Sequence, residues 1–176
     1  MTETTDSDRR WLNGWRLAGW CAAAALLSLP AIAMQFSGDV AWTIGDFLFA
    51  AIMLAALGGG IELAVRVGRG TAHKAGLIIA ALAGFATVWV NAAVGIIGDG
   101  PINAVFTIMV FAALLASLAF RLRARAVSVI AAAMIGGILV AGTVAEFTSR
   151  SDWGPVLFVA GLWVLPALLL YRAGRD

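Results

Sequence analysis

The sequence has little charge and a large excess of apolar residues. Charged side chains make up 12% of its 176 residues, against about 25% in soluble domains. Apolar residues make up 62% of the chain. A soluble fold of roughly 150 residues could not bury so much apolar surface, because it buries only about 70% of the surface that its unfolded chain exposes. The composition therefore excludes a soluble domain and predicts that lipid surrounds the protein.

Cysteine and histidine are nearly absent, which excludes several kinds of site. Cys21 is the single cysteine, so no disulfide forms within the chain, and its position in an apolar run predicts a buried, unreactive thiol. His73 is the single histidine and falls in a predicted loop. Because no cysteine or carboxylate stands at ligand spacing around it, the sequence predicts no zinc site and no haem site. We expect neither a metal nor a cofactor.

The motifs of common enzyme classes are also missing. No glycine-rich loop leads into a lysine followed by serine or threonine, as phosphate-binding loops require. Ser28 and Ser128 lie in apolar runs without an evident base, so nothing supports nucleophilic catalysis. The sequence thus predicts a protein that is not an enzyme.

Six long apolar runs are what the sequence does contain. Each has roughly the 20 residues that a helix needs to cross about 30 Å of hydrocarbon, and none alternates in the manner of a membrane β-barrel. Since backbone groups in lipid must pair within their own segment, the runs are predicted helices. The predicted fold is all-α, an integral membrane bundle of six transmembrane helices joined by short loops. The runs are Leu17–Phe36, Phe47–Val65, Ala75–Gly98, Ile102–Phe120, Ala126–Ala145 and Pro155–Tyr171.

The basic residues predict how these helices are oriented. In an alternating topology, every lysine and arginine except Arg150 falls on one side of the membrane, which the positive-inside rule makes cytoplasmic. Residues 1–16 and 172–176 are then cytoplasmic tails that flank a transmembrane domain of residues 17–171. Short basic clusters between apolar runs are a topology signal, so we expect no nucleic acid partner. The cytoplasmic group comprises Arg9, Arg10, Arg16, Arg66, Arg69, Lys74, Arg121, Arg123, Arg125, Arg172 and Arg175.

The chain has eleven arginines and one lysine and is rich in alanine and glycine, a bias that we interpret as that of a GC-rich bacterial genome. The predicted location is the bacterial inner membrane. An alternative stays open for the first run. Its basic start and its Leu29–Ala33 segment also resemble a cleavable secretory signal, although the run continues to Phe36, nearly a full span. Cleavage would leave five helices and the same orientation for the others.

Small residues follow one face of the third predicted helix. Steps of three and four place Gly76, Ala80, Gly84 and Gly95 on a common row, and close approach across small residues drives helix association in lipid. Helix 3 is therefore predicted to be central. A similar row on helix 5 runs through Ser128, Ala132 and Gly136. Such faces also suit a homo-oligomer or partner membrane helices. In helix 2, the triplet Gly58-Gly59-Gly60 predicts a kink or a very close contact.

Three polar residues are candidates for an intramembrane site. Asp46 and Asn91 fall at similar depth near the outer ends of consecutive antiparallel helices, and Glu146 ends helix 5 on the same side. Ionisable groups within spans are costly and often mark ion or proton paths. The structural alternatives are that Asp46 caps helix 2 and that Asn91 only bonds to a neighbouring helix.

Other residues have structural explanations. Glu62 and Arg66 stand four residues apart, a spacing that predicts an ion pair. Pro166 lies within the sixth predicted helix, where it removes a hydrogen bond and is expected to bend the helix.

Residues 89–98 read Trp-Val-Asn-Ala-Ala-Val-Gly-Ile-Ile-Gly. This stretch resembles the signature of a family of small, uncharacterised bacterial inner-membrane proteins, and Asp46-Phe47 is similar to the same family. The resemblance covers roughly residues 46–125 and implies a membrane fold without an established activity. In these relatives an acidic residue and an Asn-Pro pair often follow the last glycine, whereas this chain has Asp99-Gly100-Pro101-Ile102-Asn103. The resemblance draws attention to Asn91 and assigns it no role.

Two functions fit the sequence. The first is a small transporter or permeation protein, proton- or cation-linked, that uses Asp46, Asn91 and Glu146. The second is a non-catalytic membrane subunit or scaffold whose small-residue faces bind partner helices. A water-filled cavity that joins Asp46 to Asn91 would favour transport. A dry, packed contact there and an exposed glycine face would favour the subunit.

Overall fold

The computed structural model describes residues 14–98, 100–148 and 153–175. These residues form helices and connections, with no strand among them, and they contain six helical stretches long and apolar enough to cross a membrane. The predicted all-α class and the six spans are thereby confirmed, and the chain is a multi-pass membrane protein. Its helices are α1 (Gly14–Phe36), α2 (Ile44–Val67), α3 (Gly70–Val94), α4 (Ala104–Ala119), α5 (Ala124–Thr148), α6 (Trp153–Leu162) and α7 (Val164–Ala173).

The chain divides into two compact units, residues 1–59 and 60–176, and the boundary falls within α2. In the first unit, α1 buries none of its residues. The prediction of a buried Cys21 was wrong, because the thiol lies on the exposed surface of this unburied helix. A close contact predicted at the glycine triplet is present. The indole of Trp20 lies so near Gly58 that a Cβ there would stand 3.0 Å from the ring.

Helices α3 to α7 build the core of the second unit. There α3 and α5 each contact the other four helices, and both pack closely along α7. The predicted central position of helix 3 is therefore correct within this unit, although α5 shares it. Phe106, Ile138 and Val159 are fully buried where these helices meet.

The third helix ends earlier than its hydrophobic run predicts. We expected it to extend to Gly98, but α3 stops at Val94 because Gly95 leaves the helical conformation with a positive φ of 70°. Its N–H still bonds to the carbonyl of Asn91, after which the chain leaves the helix. A positive φ is readily available to glycine and rarely to other residues. Gly95 is consequently a helix terminator, and its predicted place in the packing row of helix 3 was wrong.

The sixth span is interrupted rather than merely bent. Helix α6 ends at Leu162, Trp163 forms a turn, and α7 follows. Pro166 has no N–H to donate to the carbonyl of Leu162, and its ring crowds that carbonyl. The break therefore falls within the turn that precedes the proline, where the missing hydrogen bond is expected to disturb the helix.

Candidate functional site

Polar side chains of the second unit gather where α3 connects to α4. The hub is Asn103, which ends a short 3-10 turn that begins at Pro101. Its Oδ1 accepts hydrogen bonds from the N–H groups of Ile96 and Ile97, each at 3.0 Å. Its Nδ2 donates to the carbonyl of Ile97 at 3.3 Å and to that of Gly98. One side-chain amide thus pairs backbone groups that lost their helical partners when α3 ended.

Asn91 reaches the same connection from α3. Its Nδ2 donates to the carbonyl of Asn103 at 2.9 Å and to Oγ1 of Thr107 at 3.1 Å. These bonds fix the orientation of the amide, since a flipped side chain would turn Oδ1 toward a carbonyl oxygen. Oδ1 is buried and accepts no hydrogen bond from the residues that the structure describes. Asn91 therefore ties α3 to α4 and retains an acceptor for a further donor.

Thr87 lies one turn before Asn91 on the same face of α3. Its hydroxyl is fully buried, donates to the carbonyl of Ala83 at 2.7 Å and accepts a hydrogen bond from Nε1 of Trp163 at 3.2 Å. The break in the sixth span thus supplies a buried indole N–H to this face. Sequence reasoning missed Trp163, although a tryptophan in the middle of a span, three residues before a proline, was a readable signal.

Asp46 has a local structural role in the first unit. It lies in the first turn of α2, and its Oδ2 accepts hydrogen bonds from the N–H of Thr43 at 2.7 Å and from the Thr43 hydroxyl at 2.8 Å. The N–H of Asp46 in turn donates to Oγ1 of Thr43 at 3.3 Å. This reciprocal pairing across three residues is a capping box. Capping, the structural alternative for Asp46, is the arrangement that its contacts describe.

The hydrogen bonds of two of the three candidate polar residues are local to their own units. Asp46 belongs to the first unit and Asn91 to the second, and each forms hydrogen bonds within its own unit. Glu146 is exposed in the last turns of α5. Asp99, Arg150 and Asp152, which the sequence places in the connections on this side, lie outside the described residues.

The candidate packing residues differ in what they touch. Gly76 faces Leu170, where a Cβ would come within 2.6 Å of the leucine Cγ, and Gly84 faces Val110 at 3.4 Å. Ala80 is half-buried between them. On α5, Ser128 donates to the carbonyl of Ala167 at 2.8 Å, so an interhelical hydrogen bond supplements the packing of small residues.

At the other end of the second unit, His73 is not in a loop as predicted. It lies in the first turn of α3 and is buried. Its Nδ1 accepts a hydrogen bond from the N–H of Arg69 at 3.1 Å, and its Nε2 lies 2.9 Å from the carbonyl of Leu122. Because a carbonyl oxygen only accepts, this geometry fits a tautomer in which Nε2 donates and Nδ1 accepts. The predicted ion pair is confirmed nearby, with Arg66 3.3 Å from Glu62.

Within the described ranges, no group of three or more histidine, cysteine, aspartate and glutamate side chains could hold a metal ion. A comparison of the chain with protein-family models, curated proteins and solved structures finds no match. The role of the polar groups around Asn91 and Asn103 is therefore inferred from their geometry. These side chains organise the end of α3, and Oδ1 of Asn91 accepts no hydrogen bond from the described residues.

Proposed function

We propose that this protein is a non-catalytic membrane subunit or scaffold that binds a partner helix along an exposed face of α5. The observation that carries the proposal is a strip of small side chains on the side of α5 opposite its buried residues. Around Gly136, nothing lies within 4 Å of where a Cβ would stand. The strip, called the α5 face below, consists of Val129, Ala132, Ala133, Gly136 and Val140, all exposed.

Two physical reasons support this proposal. Helices in lipid gain little from burying more hydrocarbon, so small residues that allow close backbone approach drive their association. Glycine also weakens a helix by about 1 kcal/mol relative to alanine. Within the described chain, no close contact at Gly136 offsets that cost. The capping role of Asp46 adds to the case, because it accounts for this carboxylate without a transport path.

The test is to crowd the α5 face and compare it with another open glycine. Gly136→Leu should dissociate the native complex in mild detergent, as measured by size-exclusion chromatography with light scattering. Gly161→Leu is the matched control, because Gly161 is equally open but has the bulky exposed neighbours Leu157 and Phe158. Equal complexes from both variants and the unsubstituted protein would refute the proposal.

Disulfide cross-linking identifies the partner. With Cys21→Ser as background, Ala132→Cys should form a cross-linked dimer if the partner is a second copy. A heavier product would indicate another subunit. Absence of any cross-linked product in native membranes would contradict an occupied α5 face.

A second proposal is a small transporter or permeation protein that is proton- or cation-linked. The buried, unpartnered Oδ1 of Asn91 favours it, because an acceptor without a donor inside a span is a place where a water or a permeating group can bind. Flux measured in proteoliposomes across ions and pH should fall in Asn91→Leu and in Asp46→Asn. Flux identical to that of the unsubstituted protein in both variants would remove this function.

We further propose that the protein resides in a bacterial inner membrane with both termini cytoplasmic, and that it belongs to the uncharacterised family that residues 89–98 resemble. The basic residues of the second unit support the orientation. A green fluorescent protein fused to the C-terminus should fluoresce, and alkaline phosphatase at the same position should be inactive. The reverse pattern would refute the orientation.

A further inference from the structure

Basic residues of the second unit gather at one end of it. Ala64, Leu77, Ala124 and Leu170 pack in one buried cluster, so the end of α2, the starts of α3 and α5 and the end of α7 meet there. The backbone of Gly174 also lies against Arg125, since a Cβ on the glycine would stand 3.1 Å from the arginine Cβ. We call the basic residues around this cluster the cationic rim. They are Arg69, Lys74, Arg121, Arg123, Arg125, Arg172 and Arg175.

The α4–α5 turn holds the middle of the rim in a defined shape. Arg121 and Leu122 both have a φ of 54°, a backbone conformation that residues other than glycine rarely adopt. The N–H of Arg121 donates to the carbonyl of Leu118 at 2.8 Å, and that of Leu122 donates to the carbonyl of Ser117 at 2.8 Å. His73 adds the bond to the Leu122 carbonyl from α3. A costly backbone conformation is thus fixed by several bonds, and it presents two exposed guanidinium groups, those of Arg121 and Arg123.

The rim has a large uncompensated positive charge. Glu62 is the acidic residue at this end within the described part of the chain, and it pairs with Arg66, which lies outside the rim. The seven rim residues form no ion pair among the described residues. Arg175 instead stacks over the ring of Tyr171, 5.8 Å from its centroid. Exposed like charges at this density attract anions.

The surroundings of the turn indicate which anion. Leu115, Leu118 and Phe120 expose apolar surface at the end of α4, directly before Arg121. The rim lies where apolar spans end, which is the level of lipid headgroups. A phospholipid matches both features, because its phosphate meets guanidinium groups while its acyl chain covers the apolar side chains. A free phosphate would interact only with the charged groups, and an acidic peptide would leave these three apolar side chains uncovered.

We propose that the cationic rim binds anionic phospholipid headgroups, with Arg121, Arg123 and Arg125 as the principal ligands. A lipid with two phosphates, of the cardiolipin class, offers two anionic groups to these alternate arginines of the α4–α5 turn and the start of α5. Binding of lipid here would also stabilise the strained turn in the folded state. This inference does not depend on whether the α5 face binds a partner.

The test uses purified full-length protein and native mass spectrometry in mixed micelles that contain cardiolipin, phosphatidylglycerol or phosphatidylcholine. We expect retained cardiolipin on the unsubstituted protein and little retained phosphatidylcholine. Each basic residue near an anionic surface contributes on the order of fivefold in affinity. The triple variant Arg121→Gln, Arg123→Gln, Arg125→Gln should therefore bind cardiolipin roughly a hundredfold more weakly.

Two controls separate a built site from net charge and from misfolding. Arg9→Gln, Arg10→Gln, Arg16→Gln removes the same charge from residues that are not assigned to the rim, and this variant should retain cardiolipin. Lysine at positions 121, 123 and 125 should recover most of the binding, and circular dichroism should show equal helix content in all variants. Equal loss in both glutamine variants, or no preference of the unsubstituted protein for cardiolipin over phosphatidylcholine, would overturn the proposal. Displacement of cardiolipin by millimolar inorganic phosphate or by a polyglutamate peptide would also overturn it.

Discussion

The side chain of Asn103 should determine how α3 ends, and Asn103→Ala tests this directly. The substitution deletes two acceptor bonds, from the N–H groups of Ile96 and Ile97, and two donor bonds, to the carbonyls of Ile97 and Gly98. Ile96 and Ile97 are buried, so their backbone groups cannot turn to bulk water in exchange.

The expected loss follows from these four bonds. A typical hydrogen bond contributes about 1 kcal/mol net, which gives a loss of about 4 kcal/mol in the free energy of unfolding. Asn103→Asp keeps the acceptor and removes the donor, so about half of that loss should remain. Thr143→Ala is a suitable control. Its exposed hydroxyl donates to the carbonyl of Val140, three residues earlier, and its removal should change stability by less than about 0.5 kcal/mol.

Two assays report on this prediction. Unfolding by sodium dodecyl sulfate in mixed micelles, followed by circular dichroism, gives the change in the free energy of unfolding. Hydrogen–deuterium exchange of the Ile96 and Ile97 amides gives the local effect. The exchange rate of both amides should rise strongly in Asn103→Ala. If both amides exchange at the rate of the unsubstituted protein, Asn103 does not hold this connection and the reasoning fails.

The remaining predictions concern packing and capping. Gly76→Ala should lower stability by about 1–3 kcal/mol, because the new Cβ would overlap Leu170, whereas Gly161→Ala should be neutral or stabilise by up to about 1 kcal/mol. The same detergent titration measures both, and equal effects would contradict the packing of Gly76. Asp46→Ala and Thr43→Ala should each cost about 1 kcal/mol, and the double variant should cost little more than either, because the two side chains form one capping box. Additive losses would indicate independent roles.

The helices follow from composition because hydrocarbon leaves the backbone few alternatives. Their number and approximate position could therefore be predicted from six apolar runs alone. The capping box was also readable, since Thr43 and Asp46 stand three residues apart before an apolar run. What hydrophobicity does not encode is where a helix stops inside an apolar stretch. Gly95 ends α3 in the middle of such a stretch, and the compensating Asn103 follows eight residues later.

Contacts between residues that lie far apart in the chain could not be predicted from the sequence either. His73 follows Arg69 by four residues, a local contact, but its second partner is Leu122 in a different connection. Trp163 similarly bonds to Thr87, which is 76 residues earlier in the chain. A single sequence gives residue types and spacing, and neither pairing follows from those without the packing of α3 against its neighbours. The burial of His73 and the exposure of Cys21 were missed for the same reason.

Cysteine labelling across the membrane tests whether α3 and α4 cross the bilayer and return the basic connections to one side. In a Cys21→Ser background, Arg69→Cys, Arg123→Cys and Gly100→Cys are exposed one at a time to a membrane-impermeant maleimide in sealed, oriented vesicles. Cysteines at 69 and 123 should react from the same side, and the cysteine at 100 should react from the opposite side. Cysteines at 69 and 123 reacting from opposite sides, or all three reacting from both sides, would contradict it.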